Sequence, residues 1–247
     1  MSLETIKSAY LELHPEDYLL DLGCGEGRHT ISVGLETKLQ AIGLDLSYQD
    51  LQTARGRLKD FDAFVSKEPN VGFIQGSGHD LPFADQIFNK VICSEVLEHI
   101  PDFKSFLREI RRVIKPGGIF AVSVPTAVPE WICWQLSDAY HEVEGGHVRI
   151  FNAQQLHRDI EKLGFKRFRR HKAHALHVPY WWLKCLFWRE GAQHALVDFY
   201  HRILVWDLMK NPWLTRWLDR LLNPLIGKSI VMYYVATDLV DDSTKEI

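Results

Sequence analysis

The sequence lacks any run of about 18 uninterrupted apolar residues, so no segment of it reads as a membrane-spanning helix. The nearest approach, residues 178–188, is too short and contains Lys184. Residues 1–10 have no basic segment followed by an apolar run and do not read as a secretory signal. Cysteine is scarce: Cys24, Cys93, Cys133 and Cys185 lie far apart and form no CxxC pair. Reduced thiols of a cytoplasmic protein are therefore expected, rather than a disulfide scaffold or a zinc or redox site. Strong net charge is also missing, since 29 basic against 32 acidic side chains leave −3. Such a balance supplies no general field that would draw the chain onto nucleic acid. No repeat or low-complexity tract is visible, and only the acidic tail after Val240 reads as disordered.

What remains is an ordinary globular composition, 46% hydrophobic and 25% charged over 247 residues, long enough for a domain with its own core. Between residues 18 and 126, short apolar runs alternate with amphipathic, charge-bearing stretches, the rhythm of a parallel sheet covered by helices. Strands are predicted at 18–22, 39–45, 71–75, 89–94 and 119–124, each apolar or β-branched and bounded by Gly, Asp, Ser or Pro. A helix is predicted over 103–114, capped by Asp102 and stopped by Lys115-Pro116-Gly117-Gly118. Another over 152–163 fits an Asn cap and a Gly164 stop, with a sixth strand at 165–168 and a last one at 229–237. About sixty residues separate those two strands, far more than a hairpin needs, so a helical insertion is expected there. It holds six of the eight tryptophans: Trp181, Trp182, Trp188, Trp206, Trp213 and Trp217.

The most informative segment is Asp21-Leu22-Gly23-Cys24-Gly25-Glu26-Gly27, which closes the first strand and opens the first helix. Glycines there permit positive φ and let a ligand approach the backbone, while the helix start offers unpaired N–H groups; a plain structural turn is the alternative. Dinucleotide sites space their glycines GxGxxG, and here Arg28 occupies the third glycine's place. The second strand ends at Asp45, 22 residues beyond Gly23, where a carboxylate can accept both hydroxyls of a ribose or simply cap the next helix.

Taken together these blocks resemble the class I S-adenosylmethionine-dependent methyltransferases, in particular the small-molecule group similar to ubiquinone-pathway enzymes. The matching residues are Asp21 to Gly27, Gly43 to Ser47, Gly76 to Phe83, Ser94 to Pro101 and Arg112 to Gly118, in order over residues 15–125. The resemblance implies that Asp21, Gly23, Gly25 and Gly27 surround the methionine part of S-adenosylmethionine, that Asp45 holds its ribose, and that Leu46 packs on adenine. Ser77 and Gly78 stand where the family commonly has Asp and Ala beside the adenine amino group, so the charged acceptor is missing and His79 or Asp80 is a substitute. Ser94 and Glu95, at the end of the fourth strand, are expected next to the cofactor.

Methyl transfer to a hydroxyl also needs a proton acceptor, and neutral histidine suits that role near pH 7. His147, in the loop before the helix at 152, is the preferred base and His99 the other candidate, each with a structural role as the alternative. No metal site is expected. His141-Glu142 starts like a zinc-protease motif, but Gly145-Gly146 breaks the helix and misplaces the second histidine. His171, His174 and His177 have no partnering Cys or carboxylate and read as a pocket wall or exposed face. The basic cluster Lys166, Arg167, Arg169, Arg170 and Lys172 reads as a solvated strand end, with a phosphate or anionic headgroup as the alternative ligand.

The expectation is thus an α/β, doubly wound, mostly parallel seven-stranded sheet with an antiparallel last strand. Residues 1–170 and 228–240 form the cofactor-binding domain and residues 171–227 a Trp-rich helical cap. The cap is a lid over a bulky acceptor, an element resting on a membrane surface, or a core of its own. The function expected is methylation, at oxygen first, of a small or lipid-linked acceptor. A nicotinamide-dependent oxidoreductase and a noncatalytic binding protein are the competing readings, and no nucleic-acid partner is expected. The sequence leaves the oligomeric state open.

Overall fold

The computed structural model describes residues 5–62, 70–190 and 194–238, so the tail after Val240 lies outside the described residues. Seven strands, β1 (Tyr18–Leu22), β2 (Gln40–Asp45), β3 (Val71–Gln75), β4 (Phe88–Ser94), β5 (Ile114–Pro125), β6 (Phe165–Ala173) and β7 (Ser229–Ala236), form one sheet. Their order is β3-β2-β1-β4-β5-β7-β6. β7 runs antiparallel to β5 and β6, and the remaining pairs are parallel, as the sequence predicts.

Both faces of this sheet are covered, and successive strand residues feed opposite cores. On one face Leu20, Val91, Phe120 and Met232 pack with Phe106, Leu107 and Ile110 of α3 (Phe103–Val113) and with Leu156 and Ile160 of α6 (Ala153–Glu161). On the other, Leu19, Ile92, Ala121 and Val231 pack with Val33 of α1 (Arg28–Glu36) and with Ile6 and Leu11. α2 (Tyr48–Asp62) buries Leu51 and Ala54 completely. The caps expected for α3 and α6 are made: the Asp102 carboxylate accepts from Ser105 N–H, and Asn152 Oδ1 accepts from the Gln154 and Gln155 N–H groups.

Two strands are longer than their apolar runs. β5 begins at Ile114, directly out of α3, and its pairing with β4 shifts register between Phe88 and Lys90, which absorbs the Lys115–Gly118 stretch read as a helix stop. β6 continues past Phe168 through Arg169, Arg170, His171 and Lys172 to Ala173. It is the sheet's edge, where charged side chains reach water and protect an open ladder, so apolar content underestimates its length. The first three residues assigned to the cap, His171 to Ala173, are therefore strand.

Among the described residues the cap follows as a 3-10 turn, Ala175–His177, and the helices α7 (Val178–Leu186), α8 (Ala195–Lys210) and α9 (Trp213–Ile226). α7 packs on α4 (Ala127–Leu136), while α9 packs against β6 and the 3-10 turn. A short helix, α5 (Ala139–Glu142), lies between α4 and α6. The tryptophans divide. Trp181, Trp182 and Trp188 join Trp134 around buried Cys133, Tyr140 and Cys185. Trp206, Trp213 and Trp217 are 50%, 77% and 53% exposed.

Candidate active site

β1, β2, β4 and β5 point their carboxyl ends to one edge of the sheet, and β7 starts there, because Ser229 pairs with both Pro125 and Ala173. At that edge the Gly23–Gly27 turn is pinned to β2 by Gly23 N–H and Cys24 N–H, which both donate to the Leu44 carbonyl at 2.8 and 3.1 Å. Gly23, Gly25 and Gly27 take φ values of 71°, 52° and 78°, which L side chains resist, and Gly27 caps α1. Their surroundings differ. A Cβ at Gly23 would sit 2.4 Å from Val96 Cγ2, and one at Gly27 would meet Ala54 and Phe73 at 2.9 Å. At Gly25 nothing among the described residues lies within 4 Å, so that position alone of the three is open.

Asp45 closes this turn from the β2 side, its Oδ2 accepting from Gly25 N–H at 2.7 Å and its Oδ1 from Ser47 N–H at 2.8 Å. A carboxylate offers about four acceptor positions, so roughly two remain for a ligand. Leu46 stands beside it 73% exposed, with the Gly76 N–H donating to the Asp45 carbonyl at 3.0 Å. Ser77 is exposed and its Oγ accepts from His79 N–H at 3.2 Å, whereas Gly78 is buried and a Cβ there would strike Phe106 at 2.1 Å. Hydrogen bonds thus make Gly25, Asp45, Leu46 and Ser77 neighbours at the carboxyl ends of β1, β2 and β3.

Three expected contacts have other partners. Asp21 is buried, and its Oδ2 accepts from both Thr30 N–H (3.0 Å) and Thr30 Oγ1 (2.7 Å), fixing α1 to β1. Burial pushes its carboxyl up to about 6, against the Thr30 hydrogen bonds. Ser94 Oγ lies 3.0 Å from Ser123 Oγ, and Glu95 accepts from Ser123 Oγ at 2.8 Å and from Lys228 Nζ at 3.4 Å. These two side chains are engaged on the β5–β7 side rather than toward the glycine turn.

The two candidate histidines meet. His99 ends a 3-10 turn, Leu97–His99, and its ring centroid is 4.8 Å from that of His147. Val96 lies against Gly23, so the turn that ends in His99 starts beside the glycine turn. His147 Nδ1 is 2.5 Å from Glu130 Oε1, and His99 Nδ1 is 3.3 Å from the Gly146 carbonyl. Burial, and then the charge of His147, hold the His99 imidazole below its usual range, which favours the neutral ring. Glu130 is 4% exposed and also accepts from Trp134 Nε1 (3.0 Å) and Tyr140 OH (3.2 Å). Burial works to raise its carboxyl, but the hydrogen bond and charge of His147 outweigh it and hold Glu130 low. Burial likewise opposes the charge on Lys228, and Glu95, Glu98 and Glu130 together overcome it and raise that ammonium.

Sequence reasoning missed Glu130, Lys228 and Ser123. Glu130 left one trace: it is the single charged residue of α4, and a lone carboxylate in an apolar helix needs a partner. The rejected motifs are otherwise employed. His141 stacks on Trp134 at 4.1 Å, and His171 stacks on Tyr233 at 5.7 Å. Arg170 and Lys172 face Lys7, Arg216 and Arg220 around a cavity of about 740 Å³ between β6 and α9.

A family model described as a methyltransferase domain matches residues 13–179, more than half of the sequence. The chain belongs to this methyltransferase family. The resemblance to class I S-adenosylmethionine-dependent methyltransferases read from the motifs is borne out. The chain is similar to a sterol 24-C-methyltransferase of Eremothecium gossypii, 31% identical over 147 residues that cover 60% of this chain and 36% of that protein. A 27-O-demethylrifamycin SV methyltransferase of Amycolatopsis mediterranei is 27% identical over 157 residues, covering 63% of this chain and 56% of the relative. The matched segment thus spans less than two thirds of either relative. Among solved structures, a putative methyltransferase from Bacillus halodurans shares the fold with a TM-score of 0.64 at 19% identity, over 93% of this methyltransferase chain and 96% of its own.

Proposed function

We propose that this methyltransferase moves the methyl group of S-adenosylmethionine to an oxygen atom of a small or lipid-linked acceptor. The observation that carries the reading is a chain of contacts: Asp45 holds the glycine turn at Gly25, Val96 lies against Gly23 at the start of the turn that ends in His99, and the His99 ring meets His147. The cofactor supplies an activated methyl group on a sulfonium. Gly23, Gly25 and Gly27 with Asp21 at their base form its methionine seat, Asp45 accepts from the ribose hydroxyls through its remaining lone pairs, and Leu46 covers the adenine. Ser77 and the backbone of Gly78 flank the adenine edge. Ser94 and Glu95 act at the boundary between cofactor and acceptor, through Ser123 and Lys228.

His147 and His99 face the acceptor. His147, oriented by Glu130, would take the proton of an acceptor hydroxyl, and S-adenosylmethionine would supply the methyl group that the oxygen receives. Alignment in a crevice that excludes water supplies about 7–11 kcal/mol of the barrier reduction in such reactions, and a positioned base about 10²–10⁴-fold. The oxygen preference rests on this histidine pair, since a hydroxyl is the acceptor that most needs proton removal.

The exposed face of α8 and α9 supports a lipid-linked acceptor met at a membrane surface. Trp213, Trp217, Leu221 and Leu225 recur along α9, and the cavity beside it, where five cations meet one carboxylate, Asp219, suits anionic headgroups. Four buried free thiols fit a cytoplasmic setting.

The deciding experiment incubates the protein with cofactor carrying an isotopic methyl label and cell extract, followed by mass spectrometry. One new labelled species is expected, and its formation falls about 10²–10⁴-fold in His147→Ala. Absence of labelled product together with no heat on titrating S-adenosylhomocysteine overturns the reading. Unchanged turnover in both His147→Ala and His99→Ala removes proton abstraction by histidine.

A further inference from the structure

Glu98 is wholly buried, and neither oxygen of its carboxylate has a hydrogen-bond partner among the described residues. Native proteins rarely leave a carboxylate in that condition, because the lost hydration of an unpaired group costs several kcal/mol. The backbone around it is fixed, with Val148 N–H donating to the Glu98 carbonyl at 2.9 Å, so the side chain cannot readily swing out to water. One Glu98 oxygen, one ring nitrogen of His99 and one of His147 all lie within 4.8 Å of one another.

The outer partners of the two rings select their tautomers. The Gly146 carbonyl can only accept, so His99 Nδ1 carries the proton of that contact, and the Glu130 carboxylate imposes the same on His147 Nδ1. In its neutral form each ring then keeps a bare Nε2 lone pair. Histidines that donate Nδ1–H to a carboxylate or carbonyl while Nε2 stays free form the usual support of metal-ligating imidazoles. The neighbouring carboxylates already have partners, Glu95 in Lys228 and Glu130 in His147, so of the three only Glu98 has none among the described residues.

We propose that Glu98, His99 and His147 bind one first-row divalent cation of the zinc class. Two imidazoles and a carboxylate suit zinc, iron(II), cobalt(II) or manganese(II) better than magnesium or calcium, which favour all-oxygen sets. Bonds of about 2 Å to a tetrahedral ion set ligand atoms roughly 3.3 Å apart, so the three side chains draw inward by small rotamer adjustments. His99 and His147 are partly exposed, which leaves the cation an entry path and a coordination position for acceptor or water.

The inference rests on the methyl-transfer reading and changes one part of it: His99 and His147 hold a cation instead of taking the hydroxyl proton themselves. An acceptor hydroxyl held by the cation loses its proton to crevice water near neutral pH, the oxygen then bonds to methyl carbon, and the carbon–sulfur bond breaks toward sulfur. In this form of the site the two histidines hold the cation that acidifies the hydroxyl, and water takes the proton.

Chelator-treated protein is titrated with zinc by calorimetry and with cobalt(II) by visible absorption, and in parallel with S-adenosylhomocysteine. Saturable uptake of a single equivalent, with cobalt d–d bands, is expected. Glu98→Gln and His147→Gln each weaken it roughly tenfold or more, as loss of groups that build a metal site does. Retained S-adenosylhomocysteine binding shows that both variants are folded. No saturable uptake, or uptake indifferent to Glu98→Gln, overturns the cation site and leaves methyl transfer standing. Intact cation uptake without S-adenosylhomocysteine binding or labelled transfer overturns the methyl-transfer reading instead.

Discussion

Glu95 holds a φ of 57° at the end of β4, a conformation that costs a residue with a side chain about 1–2 kcal/mol. It persists because the Glu95 N–H donates to the Ser123 carbonyl at 3.0 Å while the carboxylate is held by Ser123 and Lys228. The glycine turn allows a sharper test. Gly23→Ala adds a methyl 2.4 Å from Val96 Cγ2 on top of the positive φ, so it should lower stability by about 2–4 kcal/mol, read in denaturant unfolding. Gly25→Ala meets no neighbour and should cost about 1–2 kcal/mol from φ alone, yet weaken S-adenosylhomocysteine binding the more of the two per unit of stability lost. Wild-type affinity in Gly25→Ala, measured by calorimetry, would remove the turn from the ligand's seat. Residue identity alone could not separate these glycines, since what distinguishes them is whether Val96 or empty space stands opposite.

At the scale of elements, local signals were read well where they are local. The Asn152 cap of α6 is such a signal, and Asn152→Ala should destabilise the fold by about 1 kcal/mol without altering ligand affinity. The tryptophan-rich cap was legible only as a composition. Its tryptophans separate once α7 docks on α4, because that contact gives Trp181, Trp182 and Trp188 neighbours and leaves α8 and α9 with an open apolar side. Trp181→Ala should cost about 3 kcal/mol by leaving a cavity, whereas Trp213→Ser should stay within about 0.5 kcal/mol. If the exposed face meets a membrane, as proposed, wild-type protein should sediment with phosphatidylglycerol vesicles and paired substitution of Trp213 and Trp217 by Ser should abolish this while far-UV circular dichroism is unchanged. Vesicle binding that survives the pair would assign the exposed face to something other than lipid.

For the whole molecule, buried ionisable groups set the response to acid. Burial, with Arg28 adding to it, pushes His29 down to about 3, and burial followed by His177 takes His174 to about 3. Unfolded, these rings protonate near 6.5, so below that pH the unfolded chain binds protons that the folded one refuses. Their contribution is complete above pH 6.5 and is lost as pH falls toward 3, at up to about 1.4 kcal/mol per pH unit for each ring. His171, pushed to about 4 mainly by burial, adds to the same slope. Asp21 opposes it: with its folded value raised from 3.8 to about 6, it returns stability as pH falls between those values. Glu98, raised by burial and then by Glu95, acts in Asp21's direction. The three rings should prevail over the carboxyls below pH 5, so the urea midpoint should drop between pH 6.5 and 4, less steeply in His29→Gln. A flat profile in wild-type protein would contradict the burial of neutral histidine.

Sequence alone sufficed for the succession of strands, the helices α3 and α6, the antiparallel last strand, the glycine turn with Asp45, and membership in the methyltransferase family. These follow from periodicity, caps and φ-permissive residues, which act between neighbours in the chain. Tertiary structure alone decided that β6 outlasts its apolar residues at the sheet edge, that Asp21 serves Thr30, and that Glu98, His99, Glu130, His147 and Lys228 share one pocket. Those residues come from segments joined only by packing at the carboxyl edge of the sheet. Whether a buried carboxylate finds a partner there depends on how helices and loops dock in three dimensions, which no local pattern encodes.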